Sequence, residues 1–298
     1  MSSFFDEIAR NNLKSLLLLV IFAAFFIGIV YLVVYLLGGG IFAFFVGALL
    51  VVLYAAFTYY SGDKVVLAVS RAKVADEKQY SNLYASVEGL SSAMQVKMPK
   101  VYLINDPNPN AFATGRRSKP SIAFTTGLVQ MMDRDELEGV ISHELSHIAD
   151  NDILVMTIAI AFAGAIGLIA AYLRLSVFFG GFGGRGRNNE GPLLLIALAV
   201  GILAPLFALL TRLAISRRRE YMADANGARV TRNPAELAGA LKKIQAYEKN
   251  PRTTPVAHAN EVTASLYFAN PFKAGSLSGL FSTHPPIEER IKKLQAMY

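Results

Sequence analysis

The chain has no cysteine at any of its 298 positions, which excludes a disulfide framework, a thiolate metal site and a cysteine nucleophile. That absence suits a reducing compartment. Charge is scarce as well: only 17% of residues are charged and 53% are hydrophobic, whereas about a quarter are charged in an ordinary soluble domain. A disordered charged tail, a collagen-like repeat and a typical soluble enzyme are all excluded, and the chain reads as a membrane protein. Histidine is rarer still, with four in all. Any metal site must combine those few imidazoles with carboxylates.

Apolar runs without a charge cover Leu16 to Leu37, Ile41 to Tyr60, Ile153 to Leu173 and Pro192 to Thr211. As helices each is roughly 30 Å long, the thickness of a bilayer's hydrocarbon core. Four spans are expected, the last extending to about residue 215; the competing reading makes the second pair a buried helical hairpin. The first run is too long for a signal-peptide core and no small-residue cleavage site follows it, so it is expected to stay as an anchor.

Gly38-Gly39-Gly40 forces the first two runs into a tight hairpin. Four spans then place residues 61–152 and 216–298 on one side, where they build one domain around the transmembrane hairpins 1–60 and 153–215. Arg10, Lys14, Lys64, Arg71, Lys73, Arg217, Arg218 and Arg219 flank the spans on that side, against Arg174, Arg185 and Arg187 on the other. The positive-inside bias predicts that the domain and both termini face the cytoplasm. The net charge of +7 comes without a nucleic-acid-binding motif, so the expected basic-surface partner is a bilayer with anionic headgroups, not nucleic acid.

Short strands are predicted at Val101–Ile104 and Ile122–Thr126, with the turn-rich Asp106-Pro107-Asn108-Pro109-Asn110 between them. A helix with acidic residues in its first turn should start near Asp133 or Asp135 and run through His147. Further helices are expected over Arg217 to Ala228, after Asn233-Pro234, and after Pro285-Pro286.

Two of the four histidines stand in His143-Glu144-Leu145-Ser146-His147. Four residues apart on a helix, both imidazoles leave one face and can grip one ion, with Glu144 beside them; this is the pattern of a zinc protease helix. A catalytic zinc takes three protein ligands and keeps a fourth position for water. Asp150 and Asp152 are near in sequence but would have to curl back over the ion. Glu220 is the better candidate for third ligand, because spans three and four run antiparallel and bring its helix out at the same height as His147; a solvated carboxylate paired with Arg217 or Arg218 is the alternative. Asp224 shares the Glu220 face and can orient a ligand imidazole. Arg290 flanks the Ile287, Ile291 and Leu294 stripe of the last helix, so it should be half buried and in need of an anion such as Asp224. A purely structural Asp224–Arg290 salt bridge is equally consistent.

The strings NAFATG (110–115), DELEGVISHELSHIADND (135–152), SRRREYMADANGA (216–228) and FSTHPPIEERI (281–291) resemble the HtpX family of heat-shock membrane zinc metalloproteases, in that family's order. More distantly the chain is similar to the CAAX-prenyl endoproteases of the same gluzincin superfamily. The first 100 residues match only in hydrophobic layout. The resemblance implies one zinc per chain held by His143, His147 and Glu220, with Glu144 as general base. It places His284 beside the site as a further catalytic donor; a helix-opening histidine without that role is the alternative. It suggests that Asn110, ahead of an edge strand, binds substrate backbone, although an ordinary turn asparagine fits the residues as well. The fold class expected is membrane α+β: four transmembrane helices and a mostly helical, zincin-like cytoplasmic domain with a small β-sheet. The function implied is a zinc endopeptidase of the inner membrane that cleaves cytoplasm-exposed segments of membrane proteins or unfolded polypeptides in quality control. The alternative is a non-proteolytic membrane adaptor with a structural zinc. Nothing in the residues speaks to the oligomeric state.

Overall fold

The structure, a computed structural model, describes residues 40–158, 217–250, 267–268 and 285–297, together with isolated helical positions between 13 and 31. Helix α1 (Ile41–Val69) has 29 residues and is, among the described residues, the helix long and apolar enough to cross a membrane. The apolar run ends at Tyr60, but the helix does not: its hydrogen bonds continue through Ser61, Gly62, Asp63 and Lys64. At 1.5 Å per residue α1 is roughly 43 Å long, more than a hydrocarbon core requires. The excess has a use. Ile41, Phe42, Phe45, Leu49 and Leu53 are exposed, whereas Thr58, Gly62, Asp63, Val66 and Leu67 are buried, and Val66 and Leu67 pack with Ile104, Phe112, Ala123, Met156 and Tyr267. The other three expected spans lie outside the described residues, except for scattered helical positions in the first and for residues 153–158, which are helical and buried.

A four-stranded sheet in the order β1-β2-β4-β3 follows: β1 (Lys73–Val74), β2 (Lys100–Ile104), β3 (Ala111–Arg116) and β4 (Lys119–Thr125). β2 and β4 pair in parallel, Tyr102 opposite Ala123, and β3 returns antiparallel to β4 with Ala113 opposite Ile122. The expected second strand stops one residue early, because Thr125 caps the short helix α3 (Thr126–Met131) by accepting from the Leu128 amide. β1 and helix α2 (Ser81–Ala93) had no clear pattern to announce them: β1 is two exposed residues long, and α2 buries only Leu83, Val87 and Ser91.

Helix α4 (Arg134–Ala149) is the centre of the domain. Asp133 and Glu136 form a reciprocal capping box at its start, and every residue from Gly139 to Ala149 is buried. The sheet and α2 cover one side through Val87, Val101, Ile122 and Phe124. Helices α5 (Arg217–Thr231), α6 (Pro234–Glu248) and α7 (Ile287–Gln295) close the other, with Leu237, Leu241, Ile244, Ile291 and Leu294 in the same core.

Helices α4 and α5 meet with no room for a side chain. A Cβ on Gly227 would lie 2.9 Å from Ser142 Oγ and 3.1 Å from the His143 amide nitrogen. Gly227→Ala is therefore expected to push α5 off the turn that carries His143 and to cost about 1–3 kcal/mol; thermal unfolding followed by circular dichroism measures it.

Candidate metal centre

Helix α4 presents His143 and His147 one turn apart, and α5 brings Glu220 against them. The two Nε2 atoms are 3.2 Å apart, Glu220 Oε2 is 3.8 Å from His143 Nε2 and Glu220 Oε1 is 3.6 Å from His147 Nε2. These three residues form a group able to hold a metal ion. All three are buried. Ligand atoms arranged tetrahedrally at zinc distances stand about 3.3–3.6 Å from one another, close to these separations. The chemistry fits as well. With both rings neutral, two acceptor nitrogens and a carboxylate converging in a buried site repel one another unless a cation lies among them; without metal, a proton on His147, raised to about 9, takes that place.

Each ring is turned so that Nε2 is the free acceptor. His143 Nδ1 lies 2.9 Å from Asp224 Oδ1, and His147 Nδ1 lies 3.3 Å from Asp152 Oδ2. With Nδ1–H donating to a carboxylate, the neutral imidazole leaves its Nε2 lone pair for a metal. Arg290 Nη2 is also 3.4 Å from His143 Nδ1, but both are donors in this tautomer. The guanidinium instead gives Nη2 to Asp224 Oδ1 at 2.7 Å and Nε to Asp224 Oδ2 at 2.9 Å.

Arg290 departs from expectation in one respect: it is fully buried rather than half buried. Its Nη1 donates to the Phe268 carbonyl at 2.9 Å, and its guanidinium lies 4.6 Å from the Phe268 ring. That ring meets the His143 ring edge-on at 5.0 Å. Phe268 stands in a stretch whose composition gave no hint of this contact.

The electrostatics separate the titrating groups. Burial, aided by the Arg290 charge, depresses His143 to about 4. Burial would also depress His147, but the hydrogen bond to Asp152 and the charges of Glu220, Asp152 and Glu144 outweigh it and raise the ring to about 9. Burial pushes the Glu144 carboxyl up to about 7, against the pull of His147 and a hydrogen bond from the Ala113 backbone of β3. For Asp224, burial is overcome by Arg290 and His143, which hold it down at about 2. A carboxylate tuned to neutrality beside a ligand cluster is what a general base requires.

Asn110 is buried where β3, the edge strand, begins. Its Oδ1 accepts from the Ala111 amide at 3.1 Å, and its own backbone amide donates to Thr125 Oγ1 at 2.8 Å. His284 lies outside the described residues, immediately before Pro285 and Pro286. Asp152 does curl back, as a nearby ligand would have to, but onto the outer nitrogen of His147 and not toward the ligand cluster. Arg219, counted among the membrane-flanking cations, turns inward and donates to Asp152 Oδ1 at 2.9 Å.

Residues 77–298 match the profile of Peptidase family M48. The chain belongs to that family. Similar relatives include a protease HtpX homolog of Caldanaerobacter subterraneus, 43% identical over 97% of this chain and 96% of its own length. Another, from Streptococcus gordonii, is 40% identical over 98% and 99%, and one from Thermococcus kodakarensis is 45% identical over 80% and 81%. The crystal structure of S. mikatae Ste24p is a looser likeness, at a TM-score of 0.47 and 22% identity over 83% of this chain and 56% of that one. The M48 profile begins after α1 and takes in α4, α5 and α7, so it covers every residue of the metal centre.

Proposed function

We propose that this M48 chain is a membrane-anchored zinc endopeptidase that hydrolyses peptide bonds in cytoplasm-exposed segments of membrane proteins, as part of protein quality control. The observation that carries the reading is the convergence of His143, His147 and Glu220 beside a separate buried carboxylate, Glu144, held near neutrality. One zinc ion, held by those three side chains, would supply Lewis acidity toward a peptide carbonyl and a water. Glu144 takes the proton from the attacking water as the new C–O bond forms, and returns it to the amine nitrogen as the C–N bond breaks. Asp224, backed by Arg290, holds His143 in the required tautomer. Asn110, at the head of β3, binds substrate backbone, and His284 donates to the developing oxyanion.

The bilayer acts as partner through α1, whose exposed half is apolar and whose buried half is built into the domain. In this reading the protein sits in the inner membrane with its domain and termini in the cytoplasm. A structural-zinc adaptor has no use for a carboxylate poised like Glu144.

The test compares one peptide sequence, soluble or tethered to lipid, with full-length protein in proteoliposomes. Tethering should speed cleavage by about tenfold or more through effective concentration. Removing metal with a chelator should stop cleavage of both substrates, and zinc should restore it. Cleavage by protein shown by elemental assay to be metal-free would overturn the proposal. Tight zinc binding without turnover of either substrate would favour the adaptor.

A further inference from the structure

We infer that Asp152 and Arg219 are a positioning pair for His147, the counterpart of Asp224 and Arg290 at His143. The inference rests on the zinc reading above and adds two residues to it. Each imidazole is followed outward by a carboxylate and then by a guanidinium: His143 Nδ1, Asp224, Arg290 on one side, and His147 Nδ1, Asp152, Arg219 on the other. Asp152 is 2% exposed and the Arg219 side chain 11%. A carboxylate so buried requires a cation, and the geometry here supplies both the cation and a ring N–H.

The backbone explains how a residue so close to His147 comes to face its outer edge. Helix α4 ends at Ala149, Asp150 caps it, and Asn151 adopts a left-handed conformation with φ of 58°. Asparagine tolerates that region better than most residues. The helix is interrupted there and resumes at residue 152, and the Asp152 carboxylate lies at the Nδ1 edge of the His147 ring, the edge away from the ligand cluster. Arg219 directly precedes Glu220. The pair therefore ties the helix that carries the third ligand to the ring of the second, and it does so where both chain segments meet the proposed second hairpin. An Asp152–Arg219 bond at that junction sets the His147 tautomer and holds α5 in register with α4.

The test uses full-length protein in detergent, with zinc affinity measured by competition against a chromophoric chelator. The second readout is the 15N-labelled histidine spectrum, which four histidines keep simple. Asp152→Asn keeps the volume but not the charge, and should weaken zinc binding by about 10–100-fold. It should also remove the downfield, exchange-protected Nδ1 proton of His147. Arg219→Lys keeps the charge but changes the shape of the donor that reaches Asp152 Oδ1, and its zinc affinity should fall between those of Asp152→Asn and wild type. If either single variant is unfolded by circular dichroism, the Asp152→Asn, Arg219→Met double variant, which removes both charges, replaces it. Folded variants that bind zinc within about twofold of wild type and keep the Nδ1 proton would overturn the pairing, since a carboxylate that orients a ligand imidazole affects metal affinity by far more than that. Failure of the zinc reading looks different: wild type itself would not bind zinc, while the Nδ1 proton would still report on Asp152.

Discussion

Replacing Glu144 with glutamine is expected to lower kcat by about 10²–10⁴-fold while zinc content and KM stay near wild type. Glutamine fills the same buried space and can still accept the hydrogen bond from the Ala113 backbone, but it cannot take a proton from water. His143, His147 and Glu220 are untouched by the change, so elemental analysis should still find the ion. Retained cleavage at near wild-type rate would remove Glu144 from the mechanism. A pH dependence accompanies the rate. Only the ionised carboxylate is a base, and burial raises this one to about 7. The wild-type rate should therefore fall on the acid side, with a limb at or below about pH 7, since a cation at the neighbouring ligands favours ionisation. Stability moves the opposite way. A carboxyl whose folded pKa is raised is best tolerated while protonated, so the metal-free protein loses stability as pH rises from about 4.5 toward 7. Metal-free Glu144→Gln should thus melt higher than metal-free wild type at about pH 8, and the gap should close near pH 4.

The largest loss of stability is expected for Arg290→Met. Arg290 is fully buried and supplies two hydrogen bonds to Asp224, one to the Phe268 carbonyl, and the cation over the Phe268 ring. Methionine fills part of the space but leaves Asp224 ionised and buried. Removing one partner of such a pair costs about 3–5 kcal/mol. The pH sign follows from Asp224, held at about 2 chiefly because the Arg290 charge overcomes burial. Its stabilising share is complete above the unfolded carboxyl's pKa, about 3.9, and is lost as pH falls from there through about 2. The penalty of Arg290→Met should accordingly be large at about pH 7 and shrink toward pH 3, where Asp224 of the variant takes up a proton and no unpaired charge stays buried. Adding Asp224→Asn should recover much of the loss at neutral pH. Chemical unfolding followed by circular dichroism, at both pH values, measures all of this. Equal stability of the single variant and wild type would mean that the pair contributes nothing net.

Much of the centre was legible because it is written in local spacing. His143 and His147 share a face by helical periodicity, acidic residues mark a helix start near Asp133 or Asp135, and Asn233-Pro234 and Pro285-Pro286 open helices as such residues do. Asp224 and Arg290 were paired by the positions they occupy on their own helices. The depth at which they meet was not legible: half burial was expected for Arg290 because its own helix shows only its own stripe, whereas Phe268 and α5 close over it from elsewhere. Asp152 and Arg219 went unpaired for the same reason. One resembled a poor metal ligand and the other a topology signal, and neither property depends on the 67-residue separation between them. Hydropathy located the apolar half of α1 but ended at Tyr60, since a charged turn breaks an apolar run without breaking a helix.

By itself the sequence determined the apolar character, the sides of the helices and the shared face of His143 and His147, because composition and periodicity are properties of the chain before it folds. Only the tertiary structure decided which carboxylate faces which nitrogen and which cation neutralises it. Those choices depend on burial and distance between remote segments, and a buried charge is tolerated only where such a partner comes within a few ångströms.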